Sequence, residues 1–459
     1  MPGTIRDGDP RYGQEPLAVR LGAFAAGLSW GELDDEVRAE ARRVFVNTLS
    51  VAVAGAADDG IRQIGGALLD MGEAGSVAVP GWPAGFNLPA AALVTAAAAN
   101  VLDYDDTHIP TLIHLGAPIY GALVALAQQE RVSGPQFLTA FVAGAEIACR
   151  LGLALTPAHY DDGFHVTATC GVVGAAVACG KVLGLDAGGM ANAIGIAAHA
   201  SSGLIENLSS GAKSVGVGDA ARNGLMAAFY ARAGIDAATT SVEGKNGFLR
   251  VLSRAPRAEG LDDGLGAVWQ FLESSSKPYA SCVLTFPVID AVLELKERHG
   301  VNVDAIRAVE IHGNPLLLAR ADRVHPTTAR EAKLSLHHSV AVSLINGTAG
   351  VKDFLQDAIE NEDVRSLAGK VKAIGSHDFS TVAAKAKIML DGDESVELTV
   401  SHGRGSRERP LTEDEVRRKA LTIFSDAWPG VDGNARLRSV WEIADSADVA
   451  ASLLPFLTK

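Results

Sequence analysis

The chain has 459 residues, of which 48% are hydrophobic and 20% are charged. This balance is typical of a folded globular protein and excludes a disordered, collagen-like or disulfide-stapled chain. At this length hydrophobic cores usually divide, so the sequence predicts at least two domains. The formal net charge of −14 argues against nonspecific binding to nucleic acid or to an anionic membrane, but it does not forbid a local cationic pocket.

Helical patterns dominate the first half of the chain. Capping-box spacing at Ser29 and Glu32 precedes a predicted helix over residues 37–54, and another helix is predicted over residues 218–234. Residues 166–185 have the length of a membrane span, but they are rich in small side chains and contain a lysine. We therefore predict a buried, closely packed helix there and an all-helical first domain.

The pattern changes in the second half. Residues 305–312 alternate apolar and polar side chains, and similar runs at 382–390 and 395–401 flank a turn. These runs predict strands, the last two as a hairpin, within α+β structure. Thr412 and Glu415 then have the spacing of a capping box at the start of a last helix.

These patterns divide the chain into two domains. We predict a mainly α protein with an all-helical domain formed by residues 1–270 and 410–459, and a smaller α+β domain formed by residues 271–409. The polar stretch at 273–277 would then be a linker or a loop of a functional site.

Cysteine usage and the N-terminus bear on the cellular compartment. No cysteine belongs to a CxxC pair or to a cluster with zinc-like spacing, so we expect reduced, mostly buried thiols and neither a cysteine-based zinc site nor an iron–sulfur cluster. Residues 1–16 are polar and lack the apolar core of a signal peptide. We therefore predict a cytoplasmic protein that binds neither nucleic acid nor membrane. The four cysteines are Cys149, Cys170, Cys179 and Cys282.

The densest set of chemically active side chains follows an Ala-rich helix. Such a cluster at a helix end is expected of a functional site, but a solvated helix cap would also place aspartates there. A metal centre is a further alternative, because Asp and His bind several divalent ions, although the spacing matches no metal motif. The cluster consists of Asp103, Asp105, Asp106, His108 and His114.

Three other polar residues stand out from their surroundings. His165 lies at the predicted start of the 166–185 helix, where the positive helix end would lower the proton affinity of an imidazole. Lys213 lies in a polar turn between two helices, and Lys277 lies in the predicted linker. Taken singly, a helix-start histidine is more often structural, and each lysine is most simply a solvated surface charge.

Together these segments resemble the MmgE/PrpD family. The segments appear in the family's order, and the likeness extends from about residue 40 to about residue 425. The motifs that carry it are Asp103-Tyr-Asp-Asp-Thr107-His108 with His114, Gly163-Phe-His165, Gly211-Ala-Lys213, Lys277-Pro-Tyr and Glu331-Ala-Lys333-Leu-Ser335.

The resemblance implies an enzyme that needs neither a metal nor an organic cofactor. The family includes 2-methylcitrate dehydratase, cis-aconitate decarboxylase and iminodisuccinate epimerase, whose substrates are small polycarboxylates. Its members combine a large helical domain with a smaller α+β lid domain, usually in a homodimer. Each reaction passes through a carbanion or enolate-like species beside a carboxylate, so the site must move one proton and stabilise negative charge.

The resemblance also implies roles for the residues at the family's motif positions. We expect His114 and His165 to transfer protons, Lys213 and Lys277 to hold carboxylates, and Asp103 to orient His114 or a lysine, although these roles could be exchanged within the set. Substrate-binding positions are expected at Thr107, His108, Gly211, Cys282 and His338.

Several neighbouring positions depart from the family's pattern. Gly216 and Phe286 stand where many members have histidine, Leu115 where many have proline, and His338 where many have tyrosine. These differences bear on the substrate more than on the reaction type, because they change which polar groups the pocket can satisfy. His338 would contact the substrate, or His337 and His338 would form a partly buried structural pair.

The sequence ranks dehydration of a di- or tricarboxylic acid first, epimerisation or isomerisation second, and decarboxylation third. Two alternatives come from other classes of protein. One is a noncatalytic carboxylate-binding relative, and the other is a metal-dependent hydrolase built on the cluster between Asp103 and His114.

Overall fold

A computed structural model of the chain describes residues 15–457 and shows a mainly helical protein. The prediction about a signal peptide concerns residues that lie, apart from the last two, outside the described range. The helices of the first part of the chain are α1 Leu17–Gly27, α2 Asp35–Gly55, α3 Asp59–Asp70, α4 Leu88–Val101, α5 Gly116–Leu126, α6 Gly134–Leu155, α7 Ala158–Asp161, α8 Val166–Val182, α9 Ala187–His199, α10 Ala212–Arg232 and α11 Phe248–Leu252.

The second part of the chain mixes shorter helices with a sheet. The helices are α12 Phe286–His299, α13 Pro315–Ala321, α14 Ala329–Lys333, α15 Leu336–Asn346, α16 Gln356–Glu360, α17 Glu362–Ala368, α18 Glu413–Ala427, α19 Gly433–Trp441 and α20 Val449–Leu457. The strands of the whole chain are β1 Ala74–Ala78, β2 Gly85–Phe86, β3 Asp106–His108, β4 Ser274–Ser276, β5 Ile306–Gly313, β6 Val371–Gly375, β7 Ala384–Leu390 and β8 Ser395–Val400.

The four-stranded sheet has the order β6-β5-β7-β8, with β5 and β6 parallel and the other neighbours antiparallel. The hairpin predicted around residues 391–394 is confirmed as β7 and β8, with Ala384 opposite Val400. Helix α12 packs on β7 and β8, and α15 packs on α12. The apolar side of the sheet is thereby buried.

The prediction of an all-helical first domain is wrong in detail. Strands β1 and β2 form a small antiparallel pair. Strand β3 pairs with β4, so that Thr107 lies opposite Ser275. The polar stretch predicted as a linker or site loop is thus largely a strand. Three-residue strands carry no periodicity that a sequence pattern could reveal.

Two helix starts also differ from the prediction. The capping box of Ser29 and Glu32 belongs to a short 3₁₀ turn, whereas α2 begins after Asp34. Helix α10 begins at Ala212, six residues before the predicted start, so that Lys213 lies in its first turn rather than in a loop. The capping box of Thr412 and Glu415 at the start of α18 is confirmed.

Helices α6, α8 and α10 approach one another closely, because glycines lie at their crossings. A Cβ atom at Gly144 of α6 would lie 2.3 Å from the carbonyl oxygen of Gly174 in α8, and one at Gly224 of α10 would lie 2.6 Å from that of Val172. Such spacing leaves no room for larger side chains. Within the described residues α6 has the length and composition of a membrane span, but 94% of its apolar window is buried inside the fold.

The C-terminal helices return to the beginning of the chain. Phe424 and Trp441 share a buried cluster with Phe45 of α2, and the Arg42 guanidinium lies 5.1 Å from the Trp441 ring centroid. Arg42 also donates to Glu413 at 2.7 Å. This arrangement agrees with the predicted course of the chain, while the division into domains at residues 270 and 410 stays a prediction.

Candidate active site

A cavity of about 360 Å³ lies where the loop after α4, the starts of α8 and α10, and the segment from Lys277 to Leu334 meet. Its charged side chains are predominantly cationic, against the acidic balance of the whole chain. Such a concave, positively charged site attracts small anions. The charged lining residues are Lys213, Lys277, Lys333, Arg320, Arg323 and Arg330 on the positive side, and Asp103 and Glu206 on the negative side.

Asp103 is the acidic residue of this cavity that two of its lysines contact. It follows α4 with a left-handed backbone, at φ +53°, which an aspartate tolerates better than most side chains. Its Oδ1 atom accepts hydrogen bonds from Nζ of Lys213 and Nζ of Lys277, both at 3.1 Å. Burial alone would raise the pKa of Asp103, but the two ammonium charges outweigh it and hold the pKa well below its usual value.

Neither lysine is the solvated surface charge that its local sequence alone suggests. Lys277 follows β4 directly and is 1% exposed, and its Nζ also donates to the main-chain oxygen of Asp103 at 3.2 Å. Lys213 lies in the first turn of α10 with a mostly buried side chain. Since an ammonium group has three donors, both lysines keep capacity for a further anion.

His114 is held by a second carboxylate. Its Nδ1 lies 2.9 Å from Oδ1 of Asp105, which places the ring proton on Nδ1 and leaves Nε2 without one, 3.8 Å from Oδ1 of Asp103. Burial lowers the pKa of His114 by more than Asp105 raises it. The ring is therefore neutral at pH 7.

His165 lies on the same cavity, at the residue that precedes the first turn of α8. Burial, followed by the charge of Lys213, lowers its pKa to about 3. The ring is therefore uncharged near neutral pH, and the cause is burial and the neighbouring ammonium group rather than the positive helix end expected from the sequence.

Asp106 and the next residue, Thr107, differ from Asp103 in their surroundings. Asp106 is buried and accepts hydrogen bonds from the main-chain N–H groups of Gly116, at 2.9 Å, and Leu115, at 3.2 Å, at the start of α5. It is thus a buried cap rather than a solvated one. Thr107 lines the cavity, and its buried Oγ1 has no hydrogen-bond partner among the described residues. This hydroxyl is available to a ligand.

Not every expected substrate-binding residue reaches the cavity. Cys282 does, but His108 is buried behind it with Nδ1 bonded to Oγ1 of Thr111 at 2.7 Å. Gly211 and His338 lie outside the cavity wall as well. Nε2 of His338 lies 2.7 Å from the main-chain oxygen of Asp353, which is an acceptor, so the ring donates to it.

These positions leave His108, Gly211 and His338 outside the residues that line this cavity, and their role in substrate binding stays a prediction. They also favour the structural alternative for the histidine pair, because the side chain of His337 is buried with Nε2 2.6 Å from Asp322. A resemblance assigns a residue to a motif position but does not decide which side of its helix or strand faces the cavity.

The residues that depart from the family's pattern at positions 115, 216 and 286 lie around the cavity but do not line it. Leu115 is buried next to the capped start of α5, and the ring of Phe286 packs against Tyr279 with centroids 5.7 Å apart. A Cβ atom at Gly216 would have Ala168 Cβ as its nearest neighbour, at 4.0 Å. Room for a side chain is therefore left open beside the start of α8.

Apart from Lys277, sequence reasoning missed the cationic cavity residues of the second half of the chain. Lys333 ends α14, is buried, and donates from Nζ to the main-chain oxygen of Val101 at 3.3 Å. Burial lowers its pKa to about 8. The available signal was its place in Glu331-Ala-Lys333, a lysine in a short segment just before an apolar helix. The arginines at 320, 323 and 330 had no comparable signal.

The metal alternative does not fit this arrangement well. One ligand atom from each of Asp103, Asp105 and His114 falls within 4.8 Å of the others. However, Oδ1 of Asp103 is already the acceptor of two ammonium groups, which would repel a divalent cation. Oδ1 of Asp105 is in turn occupied by the His114 ring.

Comparison with known proteins gives two family matches that together cover most of the chain. The MmgE/PrpD N-terminal domain matches residues 19–260, and the MmgE/PrpD C-terminal domain matches residues 279–443.

Several characterised relatives align along nearly the whole chain. A cis-aconitate decarboxylase of Aspergillus terreus is 26% identical over 463 residues, covering 95% of this chain and 94% of that protein. The cis-aconitate decarboxylase of Mus musculus is 26% identical over 411 residues, covering 86% and 83%, and that of Homo sapiens is 24% identical over 447 residues, covering 93% and 92%.

Proposed function

The chain belongs to the MmgE/PrpD family, and from this premise we propose that it is a lyase that acts on a small di- or tricarboxylic acid without a cofactor. The observation that carries the proposal is the convergence of Asp103, Lys213, Lys277, His114 and His165 on one cationic cavity. These residues come from segments separated by up to 174 positions.

The chemistry follows from the charges. The ammonium groups of Lys213 and Lys277 bind a substrate carboxylate, while their shared partner Asp103 keeps both in place. Negative charge that develops on the carbon beside this carboxylate is stabilised by the same two groups. The unpartnered hydroxyl of Thr107 donates to a second oxygen of the substrate.

Decarboxylation is the first reaction to test, because the relatives that align along nearly the whole chain are cis-aconitate decarboxylases. In this reaction the C–C bond to the departing carboxylate breaks, carbon dioxide leaves, and the electron pair remains on carbon. A proton from Lys213 or Lys277 then completes the product, and solvent restores the ammonium.

Dehydration, which the sequence ranked first, is the second candidate. The position of His165 on the cavity supports it, because loss of water needs a group that removes a proton beside a carboxylate and an acid for the departing hydroxyl. His165 would be the base and a lysine the acid.

The test is incubation of the purified protein with cis-aconitate and with a panel of saturated hydroxy acids. Released carbon dioxide indicates decarboxylation, new absorbance of a double bond indicates dehydration, and solvent deuterium without a change in composition indicates epimerisation. Lys213→Ala should abolish the activity, while Lys352→Ala, which removes a surface lysine paired with Asp426, should keep it. Stabilisation by carboxylates without any turnover would instead support a noncatalytic binding protein.

We also propose a homodimer, on the basis of the family resemblance, and a cytoplasmic location, on the basis of the free and mostly buried cysteines. Sedimentation equilibrium and cell fractionation test these two points.

A further inference from the structure

A lysine of the C-terminal helix α18 contacts the two segments that carry the charged centre of the candidate active site. Nζ of Lys419 donates to the main-chain oxygens of Tyr104 and Lys277, both at 2.7 Å. Tyr104 directly follows Asp103, and the ammonium group of Lys277 binds Asp103. Lys419 therefore joins, through the main chain, the two segments whose side chains form the ion pair of Asp103 and Lys277.

The ladder between β3 and β4 stops just before these contacts. Asp106 lies opposite Ser276, so the same register would place Tyr104 opposite Pro278. Proline has no main-chain N–H, so the ladder cannot continue, and the carbonyl groups beyond its end need another donor. The side chain of Lys419 supplies this donor on both segments.

The surroundings of Nζ match its donors. Besides the two carbonyl groups, the ring of Tyr104 lies with its centroid 3.5 Å from Nζ of Lys419. An ammonium group has three N–H donors, which two carbonyl oxygens and the face of an aromatic ring can satisfy. Burial lowers the pKa of Lys419 well below its usual value, while the carboxylate of Asp105 opposes this shift. A neutral amine would still have two N–H groups for the two carbonyls, so the contact does not depend on the charge.

Lys419 does not line the cavity, so any effect on a bound substrate must pass through other residues. We propose that Lys419 is a positioning residue, which fixes the distance between Asp103 and the ammonium group of Lys277 by holding the main chain at Tyr104 and Lys277. The inference rests on the proposed function for the chemical role of this ion pair, and it gives α18 a part in the site.

The experiment measures whether the effects of Lys419 and Asp103 depend on each other. Urea midpoints are determined for the wild type, Lys419→Met, Asp103→Asn and the double variant. If Lys419 positions the ion pair, Asp103→Asn should lower the midpoint less than half as much in the Lys419→Met background as in the wild type. This comparison needs no ligand. Lys419→Gln repeats it in case Lys419→Met does not fold.

Lys181→Met is the matched control. Nζ of Lys181 also donates to two main-chain oxygens, of Ala25 at 2.7 Å and of Ala26 at 3.3 Å, but it lies at the opposite end of α8 from His165. Its loss should leave the effect of Asp103→Asn and the value of kcat unchanged. Lys419→Met should lower kcat by about 10²-fold on whichever acid the wild type turns over, because a displacement of about 1 Å in a catalytic group can cost that much.

The outcomes separate the inference from the proposed function. The inference is overturned, even if the wild type is an active lyase, when Asp103→Asn keeps more than half of its effect without Lys419, or when Lys419→Met keeps kcat within about tenfold. Failure of both lysine variants to fold would assign Lys419 to the fold alone and overturn it as well. If the effect of Asp103→Asn shrinks but the wild type turns over no acid, the positioning role stands and the lyase proposal fails.

Discussion

Asp103→Asn removes the negative charge that two ammonium groups share and keeps a side chain of similar size. Nζ of Lys213 and Nζ of Lys277 each lie 3.1 Å from Oδ1 of Asp103. At this distance and an effective dielectric constant of about 20, each pair attracts by about 5 kcal/mol. Desolvation of the charged groups offsets much of this, and removing one partner of a buried ion pair usually costs about 3–5 kcal/mol. We expect the free energy of unfolding at pH 7 to fall by that amount.

Urea unfolding at a series of pH values tests this expectation. The folded-state pKa of Asp103 lies well below its unfolded value, so its contribution is complete above about pH 4 and is lost as the pH falls through the folded pKa. The difference in stability between the wild type and Asp103→Asn should therefore be constant near neutral pH and shrink in acid. Asp35→Asn, which breaks a surface pair with Arg38, is the control and should change little. A loss below about 1 kcal/mol at pH 7, or a difference that does not shrink in acid, would refute the electrostatic account.

Three further predictions concern the site and its scaffold. His165→Ala and Lys213→Ala should each lower kcat by at least about 10²-fold while circular dichroism shows a folded protein, and near-normal turnover in either would exclude that residue from the mechanism. Succinate should bind more weakly as the pH rises through about 8, because Lys333 then loses its proton. Lys333→Met should make succinate binding less dependent on pH over this range. Binding to the wild type that does not change with pH would exclude a role for Lys333. Gly144→Ala should destabilise the fold by about 1–3 kcal/mol in denaturant unfolding, because its Cβ would lie 2.3 Å from a carbonyl oxygen of α8, whereas Gly66→Ala, in a helix with open space, should not.

The sequence predicted the residues of the site better than their surroundings. Asp103, His114, His165, Lys213 and Lys277 were proposed together only because their motifs resemble a family, since composition and periodicity say nothing about contacts between distant segments. The structure brings these five side chains to one cavity. Helices with clear caps, such as α18 after Thr412, were equally accessible to pattern analysis.

The sequence could not show towards which side of an element a side chain points, nor which distant segments of the chain pair with each other. The pairing of β3 with β4 depends on strands of three residues each. His108 follows Thr107 on β3, and because successive strand residues point to opposite sides, only one of them faces the cavity. The arginines of the second half are placed by tertiary packing and not by any local motif.

The ladder between β3 and β4 also has a consequence for biosynthesis. Asp103 lies just before the first of these strands, and Lys277 directly follows the second. A nascent chain that has not yet exposed Lys277 can offer Asp103 only Lys213 as an ammonium partner. The pair of ammonium groups on Asp103 is therefore complete only after residue 277 has been synthesised.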